Sequence, residues 1–131
     1  MGLYDSFMTL YFATYGSTMV ANAELFWGKD SIMMLPYMAS SFDEQAAFFA
    51  RMTGFGFLLL VAGRVLFGVS PNSFAKQTVM FHLGTIPLFY ANATSGTDAF
   101  TDWVWKLQIA LNVVFGLWGA AASSSNKQKS D

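Results

Sequence analysis

The chain has 131 residues, 54% of them hydrophobic and 11% charged, with a net charge of −1 and no cysteine. An ordinary soluble domain carries roughly 25% charged residues, so these few charges cannot cover a small core, and lipid is the expected solvent. The charge balance offers no electrostatic footprint for nucleic acid, and the missing thiols exclude disulfides, thiolate nucleophiles and Cys-ligated metal.

A helix needs about 20 predominantly apolar residues to span the hydrocarbon. The first such stretch covers residues 7–26, free of charge until Glu24. No positive n-region precedes it, because the first basic residue is Lys29. A cleavable secretory signal is therefore not expected: either the first helix itself directs insertion, or Met1 opens a processed form. Residues 27–43 form a longer connection that carries Met33, Met34, Leu35, Tyr37, Met38 and Phe42. It is expected to lie in the membrane interface, with Pro36 breaking any long helix.

The second span covers residues 45–69 and ends in the turn at 68–73, for which Ser73 is the expected cap of the next helix. The third covers 74–93 and contains Pro87, which removes one backbone hydrogen bond and favours burial of that stretch against protein. After a polar turn at 94–98, Thr101 or Asp102 can cap a fourth span over 103–122. The expected fold is an all-α integral membrane bundle of four transmembrane helices over residues 1–122, with a polar, mobile tail at 123–131.

Four spans put both ends of the chain on one side, with Arg64, Lys76, Lys127 and Lys129. The other side has Lys29, Arg51 and Lys106. The basic bias places the termini on the cytoplasmic-equivalent side. Glu24, Asp30, Asp43, Glu44, Asp98 and Asp102 all fall on the opposite face, making it negative.

Few residues inside the spans carry chemistry. Arg51 and Arg64 lie 13 positions apart in the second span, about 20 Å along a helix, so each can snorkel to the headgroups at its own end. Arg64 could also meet a lipid phosphate or a partner subunit's carboxylate, and Glu24 could pair with Arg51. His82 is the single histidine, within the third span. Its imidazole can hydrogen-bond between helices, ligate haem iron or chlorophyll magnesium, or transfer a proton. Trp103 and Trp105, with Trp27, sit at span ends on one face, where indoles anchor at the interface or contact partner subunits. Thr9, Ala13, Ser17 and Ala21 form a stripe of small residues on the first helix, and Gly116 and Ala120 a shorter one on the fourth. Both suit close backbone approach, in internal packing first or in docking onto a partner protein. The acylation pattern at residues 1–6 and the sequon at Asn92 are permissive matches with little meaning here. Phosphate-loop, metalloprotease and nucleophile-elbow motifs are missing, so a non-catalytic role is expected.

The Phe-rich spans, the Trp103-Val104-Trp105 run, the acidic connections and His82 in a helix together resemble the small multi-helix accessory subunits of algal photosystem–antenna supercomplexes. That resemblance implies a structural subunit of an energy-transducing complex. It would sit among membrane lipids and other integral membrane subunits, in the thylakoid membrane. Chlorophyll and carotenoid would be its cofactors, and His82 a chlorophyll ligand. A mitochondrial inner-membrane complex fits nearly as well. The chain also resembles the DoxX-like group of four-helix membrane proteins, which implies an independent enzyme or small-molecule transporter with Arg51, His82 and Arg64 around one polar pocket.

Overall fold

A computed structural model describes residues 2–28, 37–38, 43–97 and 99–127. The expectations that rest on Pro36, Met33, Met34, Leu35, Phe42, Lys29, Asp30, Asp98 and Lys129 lie outside the described residues. Among the described residues there are five helices: α1 (Leu3–Ala21), α2 (Ala23–Trp27), α3 (Glu44–Val65), α4 (Pro71–Ala93) and α5 (Asp102–Lys127). Among the described residues the extended pairing is a single bridge between Met38 and Phe100.

Local chemistry explains most of the boundaries. The first apolar stretch is two helices, because Asn22 leaves the helical region and its side chain accepts from the Leu25 N–H to cap α2. Asp43 caps α3 through the Ala46 N–H at 2.7 Å. The cap of α4 is Ser70, not Ser73: Pro71 occupies the first helical position, where its missing N–H and fixed φ are no handicap. α5 continues to Lys127, so residues 123–127 extend the last helix instead of starting a loose tail. Gly68, at φ +73°, makes the turn that reverses α3 into α4.

α1 packs along α3, α4 packs along α5, and α1 also touches α4 and α5. The face of α1 that makes these contacts is Tyr4, Met8, Phe12, Gly16 and Met19. Phe12, Phe57 and Phe81 meet edge to face at centroid distances of 5.0–5.3 Å and knot α1, α3 and α4 together at mid-height. The expected stripe of Thr9, Ala13, Ser17 and Ala21 is not this seam, and Ser17 and Ala21 are exposed. Close approach comes instead at Gly16 and Gly54. A Cβ on Gly54 would stand 2.6 Å from the Met19 Cβ and 2.8 Å from the Gly16 carbonyl oxygen. On α5, Gly116 does lie against α4, at Leu83, whereas Ala120 is exposed and Gly119 takes its part. Pro87 faces outward and α4 runs through it unbroken, so the expected burial of that stretch is not found.

Four membrane spans were expected; among the described residues two helices, Glu44–Val65 and Asp102–Ser124, are long and apolar enough to cross a membrane. α1 and α4 fall short because Asp5, Thr, Ser and Tyr residues dilute the first, and Lys76, Gln77 and His82 the second. Only 17% and 22% of the residues in the two qualifying stretches are buried, so their apolar surface is not spent on a protein core. Exposed Phe48, Phe49, Met52, Phe55 and Leu59 give α3 a lipid-compatible flank.

The Gly16–Gly54 crossing is testable. Gly54→Ala should destabilise the fold by about 1–3 kcal/mol, the usual range for overpacking, in unfolding by denaturing detergent. Gly56→Ala, where a Cβ meets nothing within 4 Å, should leave stability unchanged or raise it slightly. Equal effects at both positions would remove the crossing from the account of the fold.

Candidate functional site

Arg64 does not reach for headgroups. Its Nε and Nη2 donate to the two carboxylate oxygens of Asp5 at 2.6 and 2.7 Å, and its Nη1 donates to the Val69 carbonyl at 3.3 Å. Asp5 is buried in the first turn of α1. The carboxylate that Arg64 needs therefore belongs to its own chain, and the side chains are 16% and 6% exposed. A two-pronged pair of this kind is held by geometry as well as charge. Sequence reading missed Asp5 because it precedes the predicted first span. The signal available was a lone acid and a lone arginine at the same end of two helices.

His82 is completely buried and bridges α4 to α5, with Nδ1 2.7 Å from Asn112 Oδ1. Asn112 commits its own Nδ2 to the Gln108 carbonyl, so its Oδ1 is the acceptor and His82 carries its proton on Nδ1. Nε2 is left with a bare lone pair and no hydrogen-bond partner. The imidazole is ringed by Phe12, Phe81 and Phe115 at centroid distances of 5.4–5.6 Å. Magnesium ligation needs an open approach to the nitrogen for a wide macrocycle, and this enclosure provides none. His82 does not fit a chlorophyll.

The remaining expected contacts divide. Arg51 is exposed, and no ion pair joins it to Glu24 among the described residues. Trp103 is 54% exposed, as a membrane-facing indole should be, but Trp105 is 4% exposed and belongs to the core. Its Nε1 donates to the Tyr37 carbonyl at 3.0 Å. Two positions along a helix turn the side chain by about 200°, so the two indoles, at one end of α5, point to opposite sides of the helix. Arg51, His82 and Arg64 do not converge on a common pocket: one is on the surface, one is enclosed and one is in its ion pair.

A pocket lies elsewhere. Near the Asp43 end, α3 and α4 diverge, and a cavity of about 330 Å³ opens between the α1–α3 and α4–α5 pairs. Phe26, Phe57, Phe81 and Phe89 wall it, with Tyr11, Tyr15, Tyr37 and Gln108 at its inner side. A second cavity of about 250 Å³ adjoins it, and Trp27 and Thr53 line both. Tyr37 closes the end. Its hydroxyl donates to Gln108 Oε1 at 2.9 Å, and its carbonyl accepts from the Thr101 N–H as well as from Trp105. Burial pushes the Tyr37 hydroxyl well above its ordinary range, so it remains a donor at all physiological pH. Met38 N–H bonds the Trp27 carbonyl, completing a clasp between the end of α2 and the start of α5. The sequence placed Tyr37 in an interfacial connection, and nothing in its spacing marks it as a core residue. Among the described residues no group of three or more His, Asp or Glu side chains could hold a metal ion.

Comparison with protein-family models, with curated proteins and with solved structures finds no match for this chain.

The ion pair makes a double-variant test. Asp5→Leu alone should destabilise by about 2–4 kcal/mol, because it strands a partly buried guanidinium. Adding Arg64→Met should recover most of that loss. Additive losses in the double variant, measured by unfolding in mild detergent, would mean that the two side chains are not coupled.

Proposed function

We propose that the chain is a four-helix membrane subunit, with α1, α3, α4 and α5 all crossing the bilayer, that serves a larger assembly as a packing partner and not as a catalyst. The observation that carries this reading is where the polar groups of the long helices go. Asp5 meets Arg64, His82 meets Asn112, and Tyr4 hydrogen-bonds Thr78 at 2.7 Å, each inside the bundle. A channel or transporter turns such groups toward an aqueous path; here they brace one helix against another. In lipid, polar groups have to be satisfied internally. These inward pairings let α1 and α4 cross despite their lower apolarity. Leu10 on α1 and Met80, Leu83 and Leu88 on α4 remain outside, where lipid or apolar helices of other subunits can cover them.

For the setting we propose an energy-transducing complex, of the thylakoid membrane first and of the mitochondrial inner membrane second. This part rests on the resemblance alone. Pigment ligation by His82 is not included, because the ring is enclosed.

The test is native electrophoresis of source membranes in mild detergent, with an absorption spectrum of the band that holds the chain. The chain is expected in a particle many times its own mass. Chlorophyll and carotenoid bands in that particle would support the photosynthetic setting, and a pigment-free particle with cytochrome absorption the mitochondrial one. Migration at the monomer position would overturn the subunit reading.

A further inference from the structure

The cleft between α3 and α4 holds a group of hydroxyls that a packing role does not require. Tyr11 and Tyr15 stand four positions apart on α1, so their rings share one helix face and stack at 4.3 Å. Both are half-buried, and both line the larger cavity together with Tyr37 and Gln108. Tyr11 interacts with Tyr15 and with the Gln108 carboxamide, and Tyr15 also interacts with Tyr37. Tyr37 in turn donates to Gln108 Oε1 at 2.9 Å. Phenol groups and a carboxamide from α1, α5 and the connection between α2 and α3 thus converge on one side of the cavity. Ring packing alone would be served by phenylalanine, which the chain uses 14 times. A hydroxyl withdrawn from water costs free energy unless it is hydrogen-bonded, so tyrosine at these positions is explained by what its oxygen binds.

The facing wall consists of the rings of Phe26, Phe57, Phe81 and Phe89. Apolar walls with a few placed polar groups are the usual make-up of a small-molecule site. An apolar cavity of roughly 150 Å³ takes up benzene, and the larger cavity here measures about 330 Å³, room for a second ring. Thr53 on α3 and Leu88 on α4 line it and are exposed, so it opens sideways, toward lipid, in a chain lying across a bilayer. The adjoining cavity, whose lining includes Thr53 and Asn92, extends the cleft toward the ends of the helices. We infer that the cleft binds a flat two-ring molecule dissolved in the membrane, whose hydroxyl or carbonyl oxygen is hydrogen-bonded by Tyr11 and Tyr15. A phenol hydroxyl rotates to suit its partner and both donates and accepts, so the pair serves either kind of oxygen. Flat unsaturated rings also match the aromatic wall better than a saturated chain does. This site stands independently of the assembly reading, since it uses the interior of the bundle and not its outer faces.

Two probes of one shape test it: 2-naphthol, which has a hydroxyl, and 2-methylnaphthalene, which has a methyl group in its place. The full chain, labelled with 3-fluorotyrosine in phosphatidylcholine nanodiscs, gives a fluorine signal for each of its 5 Tyr. Tyr11→Phe and Tyr15→Phe assign the relevant two. The naphthol should move both signals saturably. It should bind about two- to tenfold more tightly than the methyl probe, the factor for one neutral hydrogen bond, with concentrations counted in the bilayer. The double variant keeps both rings, and unshifted signals of Tyr4, Tyr37 and Tyr90 report that it is folded. In it the two probes should bind equally and still saturably. Thr53→Phe, a change at an exposed rim position that narrows the cleft, should weaken both. Equal binding of the two probes to the unaltered chain would overturn the proposal. A preference for naphthol that persists in the double variant would overturn it as well, because the oxygen would then be held elsewhere. Non-saturating shifts of all the signals would reduce the effect to partition into the bilayer. Binding that survives Thr53→Phe unchanged would place the ligand outside the cleft.

Discussion

The Asp5–Arg64 pair governs how the rest of the bundle can assemble. It ties the first turn of α1 to the last turn of α3 with two short, charge-assisted hydrogen bonds. The glycine crossing at Gly16 and Gly54 then brings the two helices into backbone contact near mid-height. With α1 held along α3, the same row of α1 is what α4 and α5 dock against, through Tyr4, Met8 and Phe12. α3 consequently meets α4 chiefly at Phe57 and Phe81, and beyond those rings the two helices part. The cleft is a consequence of this arrangement: α3 is committed to α1, α4 to α5, and the space between the pairs is closed at one end by the Tyr37 clasp.

Much of this was legible in the residues. The long helices follow from apolar runs and from the turns that separate them, and His82 as a bridge between helices was one of the readings that its isolation allowed. The errors share a cause. Tyr37 and Trp105 were each assigned from the type of segment they occupy, an interfacial connection and a span end, and Asp5, ahead of the first span, was passed over. Burial of all three depends on contacts with helices distant in sequence, at Arg64, Gln108 and the Tyr37 carbonyl. Hydropathy cannot register such contacts, because an acid or a tyrosine that is fully paired has the same letter as one in water.

Small residues were misplaced for a related reason. A stripe at every fourth position identifies a helix face but does not say that the face meets another helix. On α1 the neighbouring row won, because its large residues Met8, Phe12 and Met19 offer more apolar area to bury than Ala13 or Ser17. Gly16 serves that row as the gap through which α3 approaches. On α4 and α5, where Asn112 and His82 fix the register, the small positions that matter are Gly116 and Gly119.

The two enclosed nitrogens without partners are not equivalent. His82 Nε2 is a bare acceptor among rings, with its other nitrogen bound to Asn112. The Nδ1 bond to Asn112 lets the imidazole hold the α4–α5 register whatever else the protein does. Trp27 Nε1 is an enclosed donor, although the residue lines two cavities. It has no intramolecular task in that position, since the stacking on Trp105 and the contact with Tyr37 would be made by a ring without a nitrogen.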